Sequence, residues 1–171
     1  NYNFCRYDLE SEELIVLFNH SVSNAHGMTF DGEYFWIANS SGNVYGYDFD
    51  GNQVGSFSSP VYSWILITWD GQYFIVNDAA NDDLFNPFYK LDHQGLIVEN
   101  ITMNYSGYSN AAVWVEQHGN GQLWIRDWVS SEISQFAYIG EEFVLVSQFY
   151  HFYNHSPYDI LHDGKDFFIS G

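Results

Sequence analysis

One pattern recurs four times along the chain: a short apolar stretch, a tight turn that contains glycine, and a second stretch rich in aromatic residues. The turns are Asp31-Gly32, Asp70-Gly71, the looser His118-Gly119-Asn120-Gly121, and Asp163-Gly164. Asp-Gly and Asn-Gly pairs supply the positive φ angle that a two-residue β-hairpin loop requires. The pattern therefore predicts four antiparallel hairpins, which span residues 28–37, 67–76, 118–125 and 160–169.

Each of these four hairpins has a second hairpin that completes its repeating unit. These additional hairpins span residues 44–54, 88–98, 133–143 and, at the start of the chain, 4–14. Each repeating unit therefore has four antiparallel strands, which we name A, B, C and D from first to last. No window shows the 3.6-residue periodicity of an amphipathic helix, so we expect little helix.

The spacing of the turns indicates the class of fold. Asp31 and Asp70 are 39 residues apart, Asp70 and Gly119 are 49 apart, and Gly119 and Asp163 are 44 apart. A four-stranded unit that recurs at this interval is typical of a β-propeller blade. On these turn and aromatic residues, the chain resembles propellers of the NHL-like and glutamine-cyclotransferase-like kinds. The resemblance implies an all-β propeller over the whole chain and assigns a function to no residue.

The two ends of the chain are predicted to be complementary halves of one blade. Residues 1–20 contain strands C and D, and residues 158–171 contain strands A and B, while whole blades occupy about 24–60, 62–104 and 108–150. Residues 167–171 followed by 1–8 reproduce the pattern of 35–48. An unpaired strand edge favours pairing. We therefore predict a single propeller domain over 1–171, most simply four-bladed. The halves can pair within one chain, between two chains in an eight-bladed ring, or along a filament.

The charge balance excludes one class of partner. The chain has 4 Lys+Arg and 22 Asp+Glu, which gives a formal net charge of −18. Four cations cannot neutralise many phosphates, so we expect no nucleic-acid partner. Aromatic residues form 20% of the chain, which excludes a disordered acidic tail. No apolar run is long enough for a transmembrane segment.

Sequons and the cysteine content point to the outside of the cell. Five N-x-Ser/Thr sequons begin at Asn19, Asn39, Asn100, Asn104 and Asn154. Because the first residue is not Met, we expect either that a leader was removed or that the chain is part of a longer protein. Cys5 is the only cysteine, so it either packs as a small buried hydrophobic residue or forms a disulfide with another chain. We predict an extracellular or cell-surface glycoprotein.

One candidate ligand site lies on the side of the B–C loops. Asn39, Asp78 and Asp127 follow the aromatic B strands, while Trp64, Tyr108 and Tyr158 precede or begin the A strands. Aromatic faces beside carboxylate and amide groups are suited to sugars. The alternative is that these aromatic residues belong to the core between blades. Asp78 and Asp127 could also form an acid/base pair, but we found no other catalytic motif.

The inner strands provide a second candidate site. Glu116, Asp159 and His162 lie on or near A strands and could hold a cation such as calcium in a central channel. A packed or water-filled channel is the alternative, and we expect no other cofactor. Taken together, the sequence predicts a secreted, non-enzymatic, self-assembling structural protein. The alternatives are a carbohydrate- or protein-binding recognition module and, least favoured, a polysaccharide hydrolase or lyase.

Overall fold

The structure is a computed structural model, and it describes most of the chain. The described residues are 2–8, 10–62, 65–78, 88–103, 105, 109–119, 121–127, 130, 132–150, 159–162 and 165–170. Within these ranges the chain is all-β, with sixteen strands and no helix. Accordingly, no helix of the described residues has the length and apolar character needed to cross a membrane.

The strands are grouped into three runs of hairpins and two single hairpins. The single hairpins are β1 (Tyr2–Asp8) with β2 (Glu13–His20), and β15 (Asp159–His162) with β16 (Phe167–Ser170). The first run is β3 (Ala25–Phe30), β4 (Phe35–Asn39), β5 (Asn43–Tyr47) and β6 (Gln53–Ser58). The second is β7 (Ile65–Trp69), β8 (Phe74–Asp78), β9 (Phe88–Leu91) and β10 (Ile97–Met103). The third is β11 (Ser109–Trp114), β12 (Leu123–Asp127), β13 (Glu132–Ile139) and β14 (Glu142–Tyr150).

Strand pairing differs from the predicted set of separate four-stranded blades. β3–β6 form a four-stranded antiparallel sheet, but β7–β10 and β11–β14 join into one eight-stranded sheet. The joint is a short parallel pairing of Thr102 with Glu142 and of Met103 with Phe143. Met103 and Phe143 are buried in the same apolar cluster, which holds the end of β10 against the start of β14. Among the described residues, β1 pairs only with β2, and β16 only with β15.

The innermost strands lie side by side in the order β3, β7, β11, β15. A Cβ atom built on Gly27 of β3 would lie 2.6 Å from the carbonyl oxygen of Ile65 in β7, so only glycine fits this approach. The main-chain N–H of Trp114 in β11 donates a 3.0 Å hydrogen bond to Thr68 Oγ1 in β7. This arrangement of first strands around a common centre makes the fold propeller-like.

Four apolar clusters lie between neighbouring runs or hairpins of the described residues. One cluster joins β4–β6 to β7–β9 through residues such as Trp36, Phe57 and Phe74. A second lies between β8–β10 and β11–β14. A third joins β1–β2 to β4–β5, where Phe4 stacks on Phe18 with a centroid distance of 4.7 Å. The fourth joins β11–β13 to Ile160 of β15. Many of the described aromatic residues therefore belong to the core.

The predicted turns at Asp31-Gly32 and Asp70-Gly71 are confirmed, whereas Asp163-Gly164 lies outside the described residues. Gly32 and Gly71 have φ angles of +102° and +95°. Asp31 Oδ1 accepts hydrogen bonds from the main-chain N–H groups of Glu33 (2.8 Å) and Tyr34 (2.7 Å). Its second oxygen accepts from Trp36 Nε1 at 2.7 Å and lies 3.0 Å from Nε2 of His93, which follows β9. Asp31 therefore closes its own hairpin and ties it to the next sheet.

We predict that Gly27→Ala destabilises the protein because the added methyl group meets the Ile65 main chain. The expected loss is about 2 kcal/mol in the free energy of unfolding, measured by urea titration. Gly119→Ala is the matched control, since nothing lies within 4 Å of a Cβ at that position. Equal unfolding free energies for the two variants would contradict the close approach of β3 and β7.

We also predict that Asp31 makes stability depend on pH. Burial opposes ionisation, but hydrogen bonds from the N–H groups of Tyr34 and Glu33 and from Trp36 lower the pKa of Asp31 below its ordinary value of 3.8. A lowered folded-state pKa gives stability that is present above the unfolded pKa and is lost as pH falls through the folded one.

Asp31→Asn should therefore lower the free energy of unfolding at neutral pH by about 1–2 kcal/mol. The difference from the unmodified protein should persist down to about pH 4 and shrink below it. Denaturant titrations of both proteins across this range give the measurement. A difference that stays constant or grows in acid would count against the ionised state of Asp31 as the source of the stabilisation.

Candidate functional site

Three of the predicted ligand residues occupy equivalent places in the fold. Asn39, Asp78 and Asp127 are the last residues of β4, β8 and β12, and each pairs with the first residue of the preceding strand. The side chain of Asp78 lies outside the described part of the structure. Trp64, Tyr108 and Tyr158 also lie outside the described residues, so the predicted aromatic part of the site stays a prediction.

The side chain of Asn39 supports a turn. It is buried, and its Oδ1 accepts 3.0 Å hydrogen bonds from the main-chain N–H groups of Ser41 and Asn43. These hydrogen bonds give the main-chain N–H groups of the tight β4–β5 connection an acceptor. Asn39 is therefore held in place by its own loop.

Asp127 belongs to a buried polar cluster, which we call the seam cluster: Asn77, Tyr105, Ser109 and Asp127. Asp127 Oδ2 accepts a 3.2 Å hydrogen bond from the Tyr105 hydroxyl, and Oδ1 accepts one from the N–H of Ser130 at 2.5 Å. The Ser109 hydroxyl donates a 2.6 Å bond to Asn77 Oδ1 on β8. Asn77, Ser109 and Asp127 are almost completely buried, so the cluster links β8 to β11 and β12.

Protonation in the seam cluster follows from this burial. Burial, together with the nearby charge of Asp127, raises the pKa of the Tyr105 hydroxyl well above its ordinary value. The hydroxyl therefore remains protonated and can donate to Asp127. Burial also lowers the pKa of the neighbouring Arg126, while the charge of Asp127 acts in the opposite direction. The seam cluster is thus a hydrogen-bonded support between the second and third runs of strands.

Sequence reasoning identified Asp127 but missed its companions. Asn77 directly follows the apolar stretch Phe74-Ile75-Val76, and a polar residue at the end of such a stretch is a weak signal for a buried hydrogen bond. Ser109 and Tyr105 stand in a polar segment with no distinguishing spacing. Only the packing of β8 against β11 brings them together.

A second buried polar group lies on the same seam, toward the A–B turns. Lys90 Nζ is 3.3 Å from Asp70 Oδ2 and 3.8 Å from Glu99 Oε2. It also lies 3.9 Å from the centre of the Tyr138 ring, in a cation–π contact. The Tyr138 hydroxyl donates to Glu99 Oε1. Lys90 therefore connects the β7–β8 turn, β10 and β13.

These contacts explain how the few cations are used. Lys90 and Arg126 are buried, whereas the side chains of Arg6 and Lys165 are 61% and 86% exposed. Two of the four basic residues therefore lie in the interior. Because Asp31, Asp70 and Asp127 are buried as well, the surface keeps a strongly negative net charge.

The channel-ion candidates do not form one group in the described structure. Glu116 is exposed after β11, where its Oε2 accepts a 2.9 Å bond from Trp114 Nε1. The ring of His162 in β15 lies 4.9 Å from that of His118. Asp159 begins β15, and its side chain is outside the described part. Across the described residues, no three His, Cys, Asp or Glu side chains come together as a metal site.

Two of the five sequon asparagines are described and exposed: Asn19 in β2 and Asn100 in β10. Asn39 is buried, and Asn104 and Asn154 lie outside the described residues. Cys5 in β1 is partly buried and not disulfide-bonded.

Comparisons with known proteins show the fold alone. No protein-family model matches the chain, and no curated protein sequence is significantly similar to it. A Bacteroides caccae protein of unknown function aligns with 94% of this chain and 58% of its own, at 10% identity and a TM-score of 0.57. A chain of a mitotic checkpoint complex aligns with 91% and 63%, at 10% identity and a TM-score of 0.56.

Kuenenia stuttgartiensis hydrazine synthase aligns with 84% of this chain and 40% of its own, at 15% identity and a TM-score of 0.53. The chain therefore spans less than two thirds of each of these structures. The similarity supports a β-propeller-like fold and carries no activity with it.

We predict that Lys90→Met lowers the free energy of unfolding by about 3 kcal/mol, because Asp70 and Glu99 lose the cation between them. Chemical denaturation measures the change. Lys165→Met removes the same charge from an exposed side chain, and its effect should stay within about 0.5 kcal/mol. Similar effects of the two substitutions would show that the Lys90 contacts do not stabilise the fold.

Proposed function

We propose that this chain is a secreted, glycosylated structural protein that assembles by pairing strand edges. In this proposal, β15–β16 and β1–β2 are halves of one four-stranded blade, and together with the three other blades they make a four-bladed unit. The observation that carries the proposal is that β1 and β16 each have a partner on one side only, among the described residues.

The conformation of the β1–β2 hairpin supports its role as half a blade. Asp8 Oδ1 accepts 3.0 Å bonds from the N–H groups of Glu10 and Ser11. Asp48 and Asp92 close the β5–β6 and β9–β10 turns with bonds from N–H groups two and four positions further along the chain. The β1–β2 hairpin shares with these C–D hairpins a turn closed by an aspartate, although its second bond comes from three positions further along, as at Asp31.

The β4–β5 ladder supplies the expected register for the missing pairing. In that ladder Phe35 pairs with Tyr47, and Ile37 pairs with Tyr45. Aligning residues 167–170 with 35–38, and 4–7 with 44–47, places Phe167 opposite Tyr7 and Ile169 opposite Cys5. The proposed pairing of β16 with β1 therefore places Ile169 opposite the native cysteine, Cys5.

Assembly also agrees with the outer surface of β14. Val144, Leu145, Val146, Phe149 and Tyr150 are between 42% and 59% exposed. Residues 143–150 carry no charge, although the chain as a whole has a net charge of −18. Long apolar outer strands without charged residues are usually protected in natural proteins. Burial of this surface between copies of the chain would provide such protection.

Secretion and glycosylation rest on the excess of sequons. Asn19 and Asn100 are the described positions where a glycan can be attached without rearrangement, because both are exposed. Asn39 is a poor acceptor, since its side chain is buried in its own turn. We therefore assign proposed glycans to Asn19 and Asn100, and the cell surface or the extracellular space as the location.

A non-enzymatic role agrees with the seam cluster, where both Asp127 oxygens accept hydrogen bonds. A polysaccharide hydrolase or lyase that uses Asp78 and Asp127 is the less favoured alternative, because Asp127 is buried. We propose no resident cofactor; a structural calcium ion remains an alternative without a defined ligand set.

The test uses Cys5 and the variant Ile169→Cys. Opposite residues of paired strands have Cα atoms about 4.5–5.5 Å apart, which is within the range of disulfides. We predict that mild oxidation of the purified variant gives disulfide-linked dimers and larger species on a non-reducing gel. Phe168→Cys is the matched control, since the neighbouring position faces the other side of the sheet and should not crosslink to Cys5.

The outcomes separate the two parts of the proposal. A disulfide within one chain supports the four-bladed unit and contradicts assembly through these edges. Two free thiols after oxidation, or equal crosslinking by Phe168→Cys, would contradict the pairing of β16 with β1.

A further inference from the structure

An open cleft lies between the turns that follow the inner strands β7 and β11. It has a volume of about 570 Å³ and is lined by Trp69, Asp70, Gln72, Trp114, Glu116 and Gln117. Trp69 ends β7 and Trp114 ends β11. The two strands are adjacent, because the N–H of Trp114 donates to Thr68 Oγ1. The two indole rings are therefore placed at neighbouring strand ends by the fold itself.

Both tryptophans are half-buried and fixed by contacts inside the protein. The Trp69 ring packs on Phe74 and His93, with centroid distances of 4.8 Å and 4.9 Å. Trp114 Nε1 donates a 2.9 Å hydrogen bond to Glu116 Oε2, which orients both groups. A ligand that stacks on these rings therefore has little side-chain ordering to impose, and preorganisation favours binding.

The rim of the cleft is polar and exposed. Gln72, Glu116 and Gln117 are all exposed. Gln72 Nε2 donates a 2.9 Å hydrogen bond to the Tyr73 hydroxyl, and the amide oxygen of Gln72 can accept a hydrogen bond from a ligand. One carboxylate oxygen of Glu116 accepts the hydrogen bond from Trp114, and the second oxygen can accept one from a ligand. The rim thus offers amide and carboxylate groups beside flat aromatic surfaces.

The Asp70 side chain bonds to groups within the protein and is not available to a ligand in the cleft. Its Oδ1 accepts bonds from the N–H groups of Gln72 and Tyr73, and its Oδ2 lies 3.3 Å from Lys90 Nζ. Its side chain is only 7% exposed. Glu116 is therefore the one accessible ionised group among the residues that line the cleft.

Charge and shape select the class of ligand. An anionic ligand would be repelled by Glu116 and by a chain of net charge −18. A neutral saccharide has C–H surfaces that stack on indole rings and hydroxyl groups that bond to amides and carboxylates. We propose that the cleft between Trp69 and Trp114 is a binding site for neutral oligosaccharides. It lies at the opposite strand ends from the predicted site around Asn39 and Asp127 and does not depend on assembly.

The experiment titrates the unmodified protein by calorimetry with cellohexaose, maltohexaose and mannohexaose. At least one should bind with a Kd below about 1 mM. Trp114→Ala should weaken that binding about tenfold or more, because one stacking face is lost. Gln117→Ala, at the exposed rim, should weaken it about threefold. Tyr62→Ala is the matched aromatic control: Tyr62 is 76% exposed and lies outside the cleft, so binding should not change.

Tetramethylammonium chloride distinguishes a cation site from a saccharide site. Glu116→Gln keeps an oxygen that accepts from the Trp114 N–H, so saccharide affinity should change less than threefold. The affinity for tetramethylammonium at a cation site should instead fall about tenfold. Three results would overturn the proposal: no hexasaccharide binding at about 10 mM, binding unchanged in folded Trp114→Ala and in Gln117→Ala, or binding of tetramethylammonium alone. Near-ultraviolet circular dichroism verifies that each variant is folded.

Discussion

Each sheet of this protein depends on the apolar face of the next one. A two-stranded hairpin is at best marginally stable in water, and a larger sheet buries its apolar face against another element. Here the cover comes from the neighbouring sheet, through clusters such as the one formed by Trp36, Phe57 and Phe74. The inner strands must approach closely for these clusters to form, and Gly27 permits the approach of β3 to β7. Strand order, the position of the cleft and the location of the strand edges all follow from this packing.

Polar groups at the same seams make the packing specific. Asp31, the Lys90 group and the seam cluster each connect a turn or strand of one four-stranded run to the next run. Buried polar groups of this kind cost stability unless every partner is present, so they favour one arrangement of the sheets. They also remove two of the four cations from the surface. The exterior is strongly acidic, and the proposed assembly would have to overcome self-repulsion through strand pairing, apolar burial or bound cations.

The repeated turns allowed the hairpins to be predicted closely from sequence, because Asp-Gly pairs have a local conformational requirement. The glycine φ angles and the carboxylate hydrogen bonds at Asp31 and Asp70 confirm this. The joining of β10 to β14 was not predicted, since it depends on two buried side chains, Met103 and Phe143, that have no periodic signature. The cleft was missed for the same reason. Trp69 and Trp114 are 45 positions apart in the chain, and only the adjacency of β7 and β11 places them together.

The central claim is that β1–β2 and β15–β16 are complementary halves of one blade. Residue-resolved hydrogen exchange tests it on the native sequence. In an antiparallel ladder, alternate amides of β1 point toward β2, and the others point away. The account predicts that both sets are protected to a similar degree, as in β5, which has a partner on each side. Fast exchange of the amides that point away from β2 would contradict it.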